Sequence, residues 1–149
     1  MNAKPTLGKR LDPIRRIAQN REDDAARRLA ESQAALLRHE AQLHEMERYM
    51  NEYGSGHTGS ALMPSLLANR EAFLRQLAEA LRWQAGAVQE ARSRLEQARD
   101  LWLNKHRDTD VLQTLIDRSD KSERQLHERR LQRELDEFGQ RRPASAMNS

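Results

Sequence analysis

The chain has 149 residues, of which 33% are charged, 37% apolar and only 4% aromatic. That length suits one domain, but so few aromatic side chains cannot fill a thick globular core. The charges are mixed, 26 Lys and Arg against 23 Asp and Glu, which argues against a disordered polyelectrolyte and permits nucleic-acid binding without indicating it.

No Cys occurs, so there is no disulfide framework and no thiolate metal site. No run of about eighteen apolar residues offers a membrane span. The basic N-terminus, MNAKPTLGKRLDP, is not followed by the apolar stretch of a signal peptide, so a cytoplasmic location is expected.

Residues 1–10 carry Pro5 and Gly8 and read as frayed or extended. Asp12-Pro13 reads as a helix start, with Asp12 as N-cap and Pro13 at the first helical position. With no Gly or Pro after it, that helix spans about 12–53. Heptad a positions are Leu29, Leu36, Leu43 and Met50; d positions are Ala18, Ala25, Ser32, His39, Met46 and Tyr53. Ile14 and Ile17 lie off this frame.

A turn is predicted over 54–63, where Gly54, Gly56 and Gly59 stand with Ser55 and Ser60. The glycine spacing is not that of a phosphate loop, because Ser60 stands where Lys is needed and no strand precedes it.

A second helix is predicted over about 64–138. Its a positions are Leu67, Leu74, Leu81, Val88, Leu95 and Trp102, and its d positions Arg70, Leu77, Gln84, Ala91, Ala98 and Lys105. A repeat sustained over about five heptads, with Glu, Arg, Gln and Ala between the stripes, marks a coiled-coil helix that buries one seam. Beyond Leu112 and Ile116 the seam is diluted, and Leu131, Leu135 and Phe138 return in a shifted phase. Residues 143–149, beginning at Pro143, read as a disordered tail.

The expected fold is therefore all-α: a two-helix antiparallel coiled-coil hairpin with a longer, protruding second helix, forming one domain over 1–142. If the chain folds back tightly at 54–63, Tyr53 lies near Pro64 and Leu11 near His106. The helices would be about 63 Å and 110 Å long, leaving about thirty residues of the second without a partner in the chain. An isolated helix of that length is marginal in water, so the returning apolar residues suggest a surface for another protein.

No catalytic constellation is found. His39-Glu40 and His44 resemble a zincin motif with one residue too many, and five residues splay the two rings by about 140°. The many carboxylates mostly sit at salt-bridge spacing from Arg, as Glu90 does from Arg94. Two thin helices also lack a pocket able to desolvate an acid–base pair. No enzyme activity, metal, cofactor or small-molecule substrate is expected.

One edge of the hairpin departs from the usual charged pattern. The e positions of the first helix are Gln33, Glu40 and Glu47, but the g positions near the turn are Tyr49 on the first helix and Leu66, Phe73, Ala80 and Ala87 on the second. With Met46, Tyr53 and Leu77 behind them they form a one-sided apolar strip, which marks either a wider core or an interaction site.

Asp23-Asp24-Ala25-Ala26-Arg27, Asn51-Glu52-Tyr53 and Leu135-Asp136-Glu137-Phe138, in that order and spacing, resemble the FliJ family of the bacterial flagellar type III export apparatus. The similarity covers about 10–142 and departs from the pattern at Met63-Pro64-Ser65-Leu66-Leu67, which lacks aromatics common in relatives, and at Gly139. The resemblance implies a non-enzymatic stalk, similar to the rotor subunit of rotary ATPases. The end bearing its termini would enter the ring of the hexameric export ATPase. It also implies contact with the cytoplasmic linker of the membrane export gate and with export chaperones, and so a peripheral association with the inner membrane.

Carried over by resemblance, the gate contacts fall on Gln42, Met46, Tyr49, Tyr53, Phe73, Leu77, Ala80 and Gln84, all of them d or g positions. For the ATPase ring the expected residues are Arg15, Arg16, Leu131, Leu135 and Phe138. Two alternatives use the same residues differently. Lys9, Arg10, Arg15 and Arg16 could bind nucleic acid in a salt-sensitive way, or the coiled coil could be a plain scaffold or a domain-forming homodimer.

Overall fold

The structure is a computed structural model that describes residues 4–55 and 64–146. Two α-helices, α1 (Leu7–Ser55) and α2 (Pro64–Ala146), account for nearly all of them, and no strand occurs among the described residues. The helices pack as an antiparallel hairpin in which α2, with 83 residues against 49, is the longer. The chain divides into two compact units, Asp23–Asn104 and the pairing of Met1–Glu22 with Lys105–Ser149.

The start of α1 lies earlier than Asp12-Pro13 suggests. Thr6 is the cap: its Oγ1 accepts from the Lys9 amide at 3.2 Å and its carbonyl from the Arg10 amide at 3.0 Å. A threonine three residues ahead of a free amide satisfies one of the four donors a helix start leaves open. Asp12 instead holds Arg15 and Arg16 one turn ahead, and Pro13 sits inside the helix. At that depth the ring removes one backbone donor, a cost the helix absorbs by packing on α2.

Gly8 has a second role besides its sequence appearance as a breaker. It is buried against α2, and a Cβ there would stand 2.7 Å from Asp120 Oδ1 and 3.7 Å from Ile116 Cγ2. The missing side chain leaves room for the Asp120 carboxylate, and Ile116 lies at ordinary contact distance.

At the other helix ends the boundaries also move. Gly54 and Ser55 belong to α1, while the rest of the expected turn, 56–63, lies outside the described residues. Helix α2 continues beyond Phe138 and Pro143 to Ala146, so residues 143–146 of the expected tail are helical; 147–149 lie outside the described residues. Proline costs a helix one donor, and in the last turn few bonds depend on it.

The register differs from the tight fold-back in which Tyr53 meets Pro64 and Leu11 meets His106. Tyr53 packs on Phe73, and His106 meets Glu22 at 2.8 Å. With only two residues of α1 left after Tyr53, Leu66 and Leu67 stand beyond its end and are exposed. At the opposite end pairing reaches Asp120 beside Gly8 rather than stopping near His106. The unpaired part of α2 is accordingly shorter than the thirty residues expected. It starts after Glu123, and every residue from Arg124 to Arg141 is exposed.

Along the seam the heptad positions are the least exposed, but only small ones vanish. Ala25, Val88 and Ala91 are the buried apolar residues, while Leu29, Leu36, Leu43, Leu74, Leu81, Leu95 and Trp102 are half-buried. Two helices without a third layer cover a large side chain from one side only. The seam turns polar in the unit holding the termini. Arg15 and Glu22 occupy a positions, and Thr109 is buried with its hydroxyl donating to the Lys105 carbonyl at 3.1 Å.

The close approach at Gly8 gives a direct prediction. Gly8→Leu should push the first turns of α1 off α2, at a cost of about 1–3 kcal/mol for overpacking. Hydrogen exchange of the amides of residues 7–15 should quicken by about tenfold or more, while those of Asp23–Asn104 keep their rates. Unchanged exchange over 7–15 would show that the approach is not tight.

Candidate functional site

In the unit Asp23–Asn104 the last turns of α1 and the early turns of α2 build an aromatic cluster. Tyr49 and Tyr53, four apart and so on one helical face, stack with ring centroids 6.3 Å apart. Phe73 of α2 meets Tyr53 edge-on at 5.4 Å and 66°. Both distances fall within the range of favourable aromatic pairs. The Arg70 guanidinium donates to the Tyr53 backbone carbonyl, one of the last acceptors that α1 cannot pair internally. The three rings are nonetheless about half exposed: 47% for Tyr49, 50% for Tyr53 and 47% for Phe73.

The rest of the expected gate set divides by helix position. Met46, Leu77 and Ala80 are half-buried along the seam. Gln84 and Gln42 face each other, the Gln84 amide lying 3.2 Å from Gln42 Oε1 and 2.9 Å from the His39 carbonyl. All eight residues therefore lie in one unit. Of the wider strip, Leu66 is exposed with the aromatics, whereas Ala80 and Ala87 are half-buried.

The residues expected at the ring lie in the other unit, Met1–Glu22 with Lys105–Ser149, in two separate places. Arg15 and Arg16 are on α1, held by Asp12 at 3.4 and 3.0 Å. Leu131, Leu135 and Phe138 are on the unpaired part of α2, spaced by four and three residues on one face, and are 46%, 65% and 65% exposed. Leu131 is eleven residues, or about 16 Å of helix, past Asp120, where α1 begins. The structure does not bring the arginines and the apolar stripe together.

Among the described residues no group of three or more His, Cys, Asp or Glu stands close enough to hold a metal. His39 is tied to Gln84 in the seam, while His44 is exposed. No helix among the described residues is long and apolar enough to cross a membrane.

Heptad reasoning missed one prominent side chain. Trp83 is 82% exposed, at a c position away from seam and edges. A large apolar residue outside every heptad stripe was itself the available signal, since the seam cannot account for it.

Comparison with known proteins bears on this geometry. A family profile described as Flagellar FliJ protein matches residues 8–148. A curated protein named Flagellar FliJ protein, from Salmonella typhi, is 28% identical over 134 residues, covering 88% of this chain and 91% of the relative. The match runs through both helices, from the buried Gly8 past the exposed stripe ending at Phe138, and the chain belongs to the FliJ family of flagellar proteins.

Proposed function

We propose that this chain is a non-enzymatic coiled-coil stalk of the flagellar type III export apparatus, contacting the export gate with one unit and the export ATPase ring with the other. The family match supports a role in flagellar protein export. The observation that carries the finer reading is the aromatic cluster of Tyr49, Tyr53 and Phe73, ordered by contacts across both helices yet half exposed. Aromatic side chains fixed in place lose little freedom on binding, and they dominate the energetics of most protein interfaces.

Gate contact is assigned to that cluster with Gln42, Met46, Leu77, Ala80 and Gln84 around it. Ring contact is assigned to Leu131, Leu135 and Phe138, with Arg15 and Arg16 among the charges that steer entry. Residues up to Arg21 carry Lys4, Lys9, Arg10, Arg15, Arg16 and Arg21 against Asp12, six against one, an excess of five. Apolar contacts at the point of insertion and charge around them suit a shaft entering a protein ring. A bound ring would also stabilise a stretch of helix that lacks a partner among the described residues. Working on the cytoplasmic face of the inner membrane, such a stalk would meet export chaperones as well.

Two experiments test the two halves of the proposal. Tyr49→Ala with Phe73→Ala should leave helicity by circular dichroism nearly unchanged, because both rings flank the seam. Binding to the gate's cytoplasmic region should weaken by tenfold or more, about 1.4 kcal/mol or above, as expected for truncated aromatic anchors. A variant that loses its helices while its folded fraction binds normally would assign the rings to the core instead.

Removal of residues 125–149 should spare every cross-helix contact described above, since pairing ends by Glu123. The shortened chain should keep its gate affinity and lose its binding to the export ATPase ring. Undiminished ring binding would exclude the exposed end of α2 as the contact.

A further inference from the structure

We infer that Gln84, with His39 and Gln42, is a register lock: a polar layer that selects one axial pairing of α1 and α2 and thereby assembles the aromatic cluster. Gln84 occupies a d position, where the seam calls for an apolar side chain. Its Nε2 lies 2.9 Å from the His39 carbonyl, 3.2 Å from Gln42 Oε1 and 3.3 Å from His39 Nδ1. One side chain of α2 thus engages a main-chain and two side-chain groups of α1, which no apolar d residue could do.

The a positions of the seam discriminate poorly between registers. Those on α1 repeat as Leu29, Leu36, Leu43 and Met50, and those on α2 as Leu74, Leu81, Val88 and Leu95. Sliding one helix by a heptad therefore brings another large aliphatic a residue to each of these levels. The buried residues, Ala25, Val88 and Ala91, are small and fit several neighbours. The polar layer is not interchangeable. After a slip of one heptad Gln84 would meet Ser32 and Ala35, or Met46 and Tyr49, in place of His39 and Gln42. Either slip takes the half-buried Gln84 amide away from both the His39 ring and the exposed Gln42 side chain, and a partly covered polar group that loses partners is penalised. A single polar layer that fixes pairing is a known device of coiled coils.

The consequence reaches the cluster. Phe73 lies eleven residues before Gln84 on the same helix, about 16 Å away, and meets Tyr53 only in the observed register. Gln84 is then a positioning residue for the aromatic surface. This inference concerns the hairpin itself and stands whether or not that surface binds the gate.

Because the chain has no Cys, paired labels can be introduced without background. Spin labels at Glu31→Cys and Glu71→Cys, both exposed and far apart along the hairpin, turn axial slip directly into a change of separation. The unsubstituted seam should give one narrow separation by pulsed electron resonance. Gln84→Leu should keep its helices and add a second separation displaced by about 10 Å, one heptad of rise, in about a tenth or more of the molecules. Gln84→Met, close in shape but unable to donate, should do the same and decides the matter if the leucine variant does not fold. One unchanged separation in a folded variant would overturn the inference. Loss of helix in both variants would overturn it too, by assigning the layer to cohesion rather than register.

Discussion

Two helices share one seam, and a seam without a third layer covers large side chains on one side only. Among the described residues Val88 is the largest of the buried apolar ones, and the leucines along the seam remain half-buried. Everything else about the molecule follows from that limit. Apolar area cannot be hidden in a thick core, so the chain relies on helix propensity, surface ion pairs such as Glu40 with Arg92, and polar contacts placed within the seam. It also leaves side chains in view that a globular protein would bury.

Two groups among those visible side chains stand out. In one unit they form a cross-helix aromatic group whose members are held by each other and by Arg70. In the other they form a stripe on a helix face that α1 no longer accompanies, while the paired part of the seam becomes polar, with Arg15, Glu22 and Thr109. The first surface is preorganised and the second is a helix in need of support. Such a division of labour suits a protein that links two partners rather than one that transforms a substrate.

Much of this was legible from heptads. The seam frame places Ala25, Val88 and Ala91 correctly inside and Tyr49 and Phe73 at an edge, because small and large apolar residues recur at fixed spacing. Register was not legible, since repeated leucines pair equally well in several alignments, and assuming the tightest fold-back put Tyr53 against Pro64 instead of Phe73. The helix start was misread for a related reason. Asp12-Pro13 has the stronger local signature, yet with Gly8 packed on α2 the helix starts nearly two turns earlier, at a Thr6 cap. Local chemistry proposes boundaries, and tertiary contact decides among them. The meeting of Gln42 and Gln84 was likewise invisible until the alignment of the two helices was known.

In the proposed stalk, one hairpin presents two different partners with two different surfaces. Site-specific photocrosslinking in flagellated cells tests it most directly, with a photoreactive phenylalanine analogue replacing Phe73 in one strain and Leu135 in another. The account predicts that position 73 captures the export gate and not the ATPase, and that position 135 captures the ATPase and not the gate. Capture of the same partner at both positions, or of each by the opposite position, would contradict it.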